Sequence, residues 1–179
     1  QTDLLQALHG RNGESPVVVI APSTPDDCFH YTFMASKIAL EYMTPVIVLS
    51  DAFIGNGTSL WKLPKLGELP EIKPNYVPAD FENYNATSRN EGTKVRYWAV
   101  PGTPGFEYRN GGLEKDYFKG GISSDPLNHQ KMVDTRAQKI QNVQRSIPDL
   151  EIFGNENADL LVVGWGSTRG HLMGTVSNM

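Results

Sequence analysis

The run PVVVIAPSTPDDCFHYTFMASKIALEYMTPVIVLS, residues 16–50, decides the fold. Its opening stretch, Pro16 to Ala21, is continuously apolar and rich in β-branched side chains, the pattern of a strand covered on both faces. Thr24 then offers a capping hydroxyl, Pro25 suits the first helical position, and Asp26 and Asp27 set negative charge at the positive end of a helix dipole. The helix that follows carries Phe29, Phe33, Leu40 and Met43 on one stripe. Cys28, Tyr31, Ala35, Ile38 and Tyr42 spread apolar character around the rest, which predicts burial on more than one side. Pro45 ends the helix and Val46 to Ser50 supply a second apolar strand. Two parallel strands joined by a helix form a β-α-β unit, so the expected fold class is α/β with a parallel sheet.

Upstream, Leu4, Leu5, Ala7 and Leu8 fall at helical spacing before the turn-forming run His9 to Gly13. Downstream the texture changes. Eight of the twelve prolines and ten of the seventeen glycines lie between Phe53 and Leu150, which argues for a long connector rather than an independent domain. Within it only Val95 to Val100 reads as a strand. Asp125 and Pro126 open a helix near 126–146 whose Val133, Ala137, Ile140 and Val143 recur at three- and four-residue steps, with Ile147 beyond and Pro148 as the stop. Lys131, Arg136, Lys139 and Arg145 on its other side read as a solvated face. Leu160 to Trp165 resembles another buried strand, turning at Gly166 to Gly170 towards a helix and starting a second α/β unit.

Composition excludes several classes. Sixteen basic against twenty acidic side chains give a net charge of −4, with no dense basic run, so neither nucleic acid nor a membrane surface is an expected partner. The apolar runs are far shorter than the roughly 20 residues of a membrane helix. A single cysteine, Cys28, makes no internal disulfide and implies no oxidising compartment, so a cytoplasmic location is expected. The chain starts at Gln1 and stops early in a strand-turn-helix pattern at Met179, as expected of a fragment.

Three features bear on chemistry. The turn with Gly164, Gly166, Ser167 and Thr168 follows an apolar run, and its backbone N–H groups could cradle a phosphate or carboxylate. Its G-x-G-x-x-x-G spacing is not that of a dinucleotide site. Ser50 and Asp51 end a parallel strand, where open α/β sheets place ligands, although Asp51 equally serves to cap the next turn. The histidines His9, His30, His129 and His171 have no ligand spacing, and Cys28 and His30 read as packed core residues, so no metal site is expected.

Several segments together resemble a known family. They are Gln1 to Ala7 with His9 to Glu14, Ala39 to Glu41 with Met43 to Asp51, Pro101 to Gly105, Gly111 to Lys115, Asp125-Pro126 with Asn128-His129, and Gly164 to Thr168. In order and spacing they are similar to the alpha subunit of 2-oxoacid:ferredoxin oxidoreductases, most of all the 2-oxoglutarate branch. The resemblance implies that 1–56 finish a thiamine-diphosphate pyrimidine-binding domain, that 57–157 connect, and that 158–179 begin a transketolase-C-terminal-like α/β domain.

It further implies oxidative decarboxylation of a 2-oxoacid, with the acyl group passed to coenzyme A and electrons to ferredoxin through an iron–sulfur cluster. Thiamine diphosphate with Mg2+ and the cluster would serve the whole enzyme, held by a beta subunit or by sequence outside this chain, and the assembly would be a dimer of heterodimers. The substrate-binding loop and the glutamate that activates the pyrimidine belong upstream of Gln1 in such proteins. No residue here inherits a catalytic role, and Gln1, Thr2 and Asp3 would border the active site. The expectation is a chain inactive alone; the alternative is a non-catalytic α/β module that binds a nucleotide or anion at the Gly166 turn.

Overall fold

The computed structural model describes residues 2–155 and 157–178. The chain is mixed α/β, built on the parallel pair β1 (Val18–Ile20) and β2 (Val46–Val48), with Val18 opposite Val46 and Ile20 opposite Val48. Ahead of them helix α1 (Thr2–His9) ends where the Arg11 guanidinium turns back onto the Ala7 and Leu8 carbonyls while also gripping Ser15 O at 2.8 Å. A cation on the last carbonyls of a helix meets both their hydrogen-bonding need and the dipole.

Helix α2 (Asp27–Tyr42) joins the strands and starts two residues after Pro25. Thr24 to Asp26 form a turn instead of a first helical turn, yet Thr24 still caps, its hydroxyl accepting from the Asp27 amide at 3.4 Å. Asp27 in turn accepts from the Ser23 hydroxyl at 2.6 Å. Met43 terminates α2 in the left-handed region at φ 45°, and Pro45 redirects the chain into β2.

Short helix α3 (Ala52–Asn56) follows β2. Helix α4 (Pro126–Val143) opens as its sequence predicts, with Asp125 accepting from the Leu127 and Asn128 amides at 2.8 and 2.9 Å. It tightens into a 3-10 turn over Gln144–Ser146. The core forms where α4 meets the β-α-β unit: Val18, Ile38 and Val143 are buried, and Ile20, Met34, Tyr42, Val46 and Ile140 pack around them. Ile38 is 2% exposed and Val143 1%. At about 25 cal/mol per Å2 of apolar surface, such side chains supply roughly 1.5–3 kcal/mol each.

Four expectations are corrected. Helix α2 is not buried on more than one side, because Phe29, Tyr31 and Leu40 stay exposed and its inward face is narrower, centred on Ala35 and Ile38. Val95 to Val100 is not a strand: Arg96 bridges Arg89 antiparallel and Trp98 bridges Tyr76 in parallel, and the change of partner within two residues prevents a ladder. Leu160 to Trp165 is neither buried nor a strand. Leu160 is 69% exposed and Val163 84%, since a strand requires a paired neighbour and the described residues supply none there. His30 is exposed with its ring edge-on to Phe29, and Cys28 is only half-buried.

The proline-rich stretch is ordered against the helices. Trp98 Nε1 donates to Leu40 O at 2.8 Å, Lys37 Nζ to Glu71 O at 2.7 Å, and the Lys73 amide to Glu41 at 2.8 Å. Within it Ala86, Val95 and Tyr117 are buried. Helix α5 (Thr168–Ser177) closes the described chain.

Candidate functional site

Two features flagged separately in the sequence meet in space. Asp51 leaves the end of β2 in extended conformation, and its Oδ1 accepts from the Ile54 amide at 3.0 Å, capping α3. Its Oδ2 accepts from the Ser167 amide at 3.4 Å. The glycine turn ahead of α5 thus lies at the carboxyl ends of both strands, beside Pro22 and Asp51, where open α/β sheets place ligands.

The turn's residues have separate tasks. Gly166 takes φ 62°, a conformation that favours glycine, and a Cβ there would meet Asp51 Oδ2 at 3.7 Å in ordinary contact. Gly164 sits under the Leu172 side chain of α5, so a Cβ there, 2.1 Å from Leu172 Cδ1, would turn that side chain aside. Thr168 Oγ1 donates to Trp165 O at 2.6 Å, and the Arg169 amide to Gly166 O at 3.2 Å. The Ser167 hydroxyl first, then the Ile54 amide, holds the Asp51 carboxyl below the usual carboxylate range. Asp51 therefore stays ionised at neutral pH and faces the amide that an incoming anion would use. Chemically the junction is a clasp between the turn from β2 into α3 and the turn that opens α5, with no nucleophile and general base side by side.

Thr2 and Asp3 stand exposed in the first turn of α1 and share no hydrogen bond with this junction; Gln1 lies outside the described residues. No group of three or more potential metal ligands occurs among the described residues. No helix among them is long and apolar enough to cross a membrane.

A second constellation escapes sequence reading. The face of α4 expected to be solvated is largely engaged: Lys131 Nζ sits 4.0 Å above the Tyr117 ring and 4.1 Å above Phe118, Arg136 pairs with Glu14 and Glu114, and Lys139 Nζ donates to Met43 O at 2.9 Å. Tyr117, its hydroxyl donating to Glu91 at 2.8 Å, has the Arg89 guanidinium 4.3 Å over its ring. Burial first, then Arg96, Arg89 and Arg136, lowers Lys139 to about 8. No spacing in the sequence announces this cluster, because its contacts join residues as far apart as Arg136 and Glu14, 122 positions, and Lys139 and Met43, 96 positions.

The parallel β-α-β unit, with the turn before α5 held at its strand ends, places the chain in the α/β fold class. Within that class the sequence model of pyruvate flavodoxin/ferredoxin oxidoreductase, thiamine-diphosphate-binding, matches residues 1–122, and the chain belongs to this family. Its relatives include the 2-oxoglutarate oxidoreductase subunit KorA of Mycobacterium tuberculosis, 47% identical over 95% of this chain and 26% of the relative. The 2-oxoacid:ferredoxin oxidoreductase alpha subunit of Saccharolobus solfataricus is 28% identical over all of this chain and 29% of the relative. Among solved structures, the 2-oxoglutarate:ferredoxin oxidoreductase of Magnetococcus marinus, with 2-oxoglutarate, coenzyme A and succinyl-CoA bound, superposes with a TM-score of 0.88 at 29% identity. That match covers 99% of this chain and 31% of the other. The chain thus spans about a quarter to a third of the length of these proteins.

Proposed function

We propose that this chain is part of the alpha subunit of a 2-oxoacid:ferredoxin oxidoreductase whose 2-oxoacid is 2-oxoglutarate, and that it catalyses nothing alone. The observation that carries this reading is the 47% identity to a 2-oxoglutarate oxidoreductase subunit sustained over 95% of the chain. In the proposed division, 1–56 complete a pyrimidine-binding domain, 57–157 connect, and 158–179 open a transketolase-C-terminal-like domain. The whole enzyme would convert 2-oxoglutarate and coenzyme A to an acyl-CoA and carbon dioxide, with two electrons leaving for ferredoxin. Its home would be the cytoplasm, as a dimer of heterodimers with a beta subunit.

Thiamine diphosphate, when bound, supplies the electron sink for decarboxylation. The residues present here do not fit its diphosphate or the cluster. Asp51 already occupies the Ser167 amide with negative charge, and one cysteine cannot furnish the thiolates of an iron–sulfur cluster. The role proposed for this chain is therefore structural: the clasp fixes the strand ends that border the cofactor cleft, and Thr2 and Asp3 stand near that cleft. Exposed Phe29, Leu160, Leu161 and Val163 favour a part that completes its burial against the rest of the enzyme.

The reading is tested by purifying the chain alone and the full alpha subunit with its beta subunit. Both are assayed for 2-oxoglutarate-dependent ferredoxin reduction with coenzyme A and thiamine diphosphate. Activity is expected only in the assembled enzyme. Activity in the isolated chain would overturn the structural role, and an inactive assembled enzyme would overturn the substrate assignment.

A further inference from the structure

Three Asn-Gly pairs occur in the chain: Asn12-Gly13, Asn56-Gly57 and Asn110-Gly111. In such a pair the glycine amide nitrogen can close a five-membered ring on the carboxamide carbon before it, and the missing Cβ leaves that approach open. All three asparagines are exposed, so access of water does not separate them. Their hydrogen bonds and backbone do.

Asn56 ends α3 with both reacting groups engaged: its Nδ2 donates to Ala52 O at 2.8 Å, and the Gly57 amide donates to Ile54 O at 3.3 Å. Asn12 sits in a turn that Arg11 staples, its guanidinium bonded to the Ala7 and Leu8 carbonyls behind and to Ser15 O ahead. Asn110 is different. Residues 106–111 adopt no regular structure, and among the described residues neither the Asn110 carboxamide nor the Gly111 amide has a hydrogen-bond partner. Lys115 Nζ donates to Gly111 O at 3.1 Å, which sets a positive charge beside the glycine. An ammonium there favours loss of the Gly111 amide proton, since the nitrogen anion forms next to an opposite charge.

We infer that Asn110 is a site of intrinsic deamidation through a succinimide, converting it to isoaspartate and aspartate. The Gly111 nitrogen, its proton lost to solvent base, attacks Asn110 Cγ; an N–C bond forms, the bond from Cγ to the side-chain nitrogen breaks, and ammonia leaves with a proton from water. Water then opens the ring at either carbonyl. One water is consumed for each ammonia released, and nothing is oxidised or reduced. Either product adds a carboxylate within the segment that Lys115 folds over, and isoaspartate also lengthens the backbone by one methylene. The change falls shortly before Glu114, whose carboxylate ties this segment to His129 and Arg136. The inference does not rest on the proposed 2-oxoacid chemistry.

The test incubates the full-length subunit in its complex in 18O-water at mildly alkaline pH, digests it under acid conditions, and reads each Asn-Gly peptide by mass spectrometry with fragmentation that separates aspartate from isoaspartate. Asn110 is expected to take up label at least about tenfold faster than Asn56, the ratio that one net hydrogen bond holding the reactants apart sustains. It should also outpace Asn12, with isoaspartate the more abundant product. Gly111→Ala, whose Cβ meets nothing nearer than Lys115 Nζ at 3.8 Å, should keep the fold and slow labelling of Asn110 about tenfold by hindering ring closure. Labelling of Asn110 no faster than that of Asn56 or Asn12, aspartate without isoaspartate, or a rate unchanged by Gly111→Ala would each overturn the inference. If Gly111→Ala does not fold, the comparison of the three asparagines in the wild type decides. Because no readout is activity, the result is separable from that of the proposed function.

Discussion

The Asp51 carboxylate accepts the Ser167 amide at 3.4 Å and so ties the end of β2 to the turn before α5, 116 positions further along the chain. Its other oxygen caps α3 through Ile54. One exposed side chain thus ties together the turns that open α3 and α5. Because its folded pKa is depressed, its contribution is fully present above its ordinary value of 3.8 and is lost as pH falls through the lower folded value.

Replacing Asp51 with alanine should speed amide hydrogen exchange at both Ile54 and Ser167, beyond the change in intrinsic rate. Acidification below about pH 3.8 should release the same two amides in the wild type. Exchange that changes at Ile54 but not at Ser167 would show that the clasp to α5 does not form.

Lys139 gives a pH signature of opposite sense. Its folded value of about 8 lies under the ordinary 10.5, so between these the unfolded chain holds a proton that the folded chain lacks, and stability from this group rises with pH. At pH 7 its buried charge costs on the order of 2–3 kcal/mol, against about 1 kcal/mol gained from its hydrogen bond. Lys139→Met should therefore stabilise by about 1–2 kcal/mol at pH 7 in denaturant titrations, and the gain should vanish near pH 10. A loss of stability at pH 7 would contradict this.

The core and the exposed 160–165 segment should respond differently. Ile38→Ala removes a side chain at the junction of sheet, α2 and α4 and should cost about 2–5 kcal/mol. Val163→Ser should change the stability of this chain by no more than about 0.5 kcal/mol. In the assembled enzyme the same substitution should lower the melting temperature, because the segment is proposed to be covered there. Equal melting temperatures would argue against that cover.

Gly166→Ala places a Cβ in the left-handed region and should destabilise by about 1 kcal/mol, read as earlier thermal loss of α5 helicity. A wild-type melting curve would mean that the turn has relaxed to another conformation.

How much of this was legible follows from how far apart the determinants lie. The β-α-β unit and α4 were readable because Thr24, Asp125, Pro126 and the apolar repeats act within a few residues of what they specify. Leu160 to Trp165 misled because a strand is defined by its partner, and an apolar run does not carry one. Phe29 and Leu40 misled for a similar reason: apolar character states that cover is wanted, not that this chain supplies it. Asp51 and the Gly166 turn were each visible, but their contact was not, and the cations gathered around Tyr117 depend on contacts that no motif encodes.

The central claim is membership of a 2-oxoglutarate:ferredoxin oxidoreductase alpha subunit. Its most direct test is 2-oxoglutarate-dependent ferredoxin reduction by the alpha subunit containing this chain, assembled with its beta subunit, coenzyme A and thiamine diphosphate. The account predicts acyl-CoA formed with two ferredoxin electrons per turnover, and none from this chain alone. Assembled subunits that reduce no ferredoxin with 2-oxoglutarate, or this chain reducing it unaided, would contradict the account.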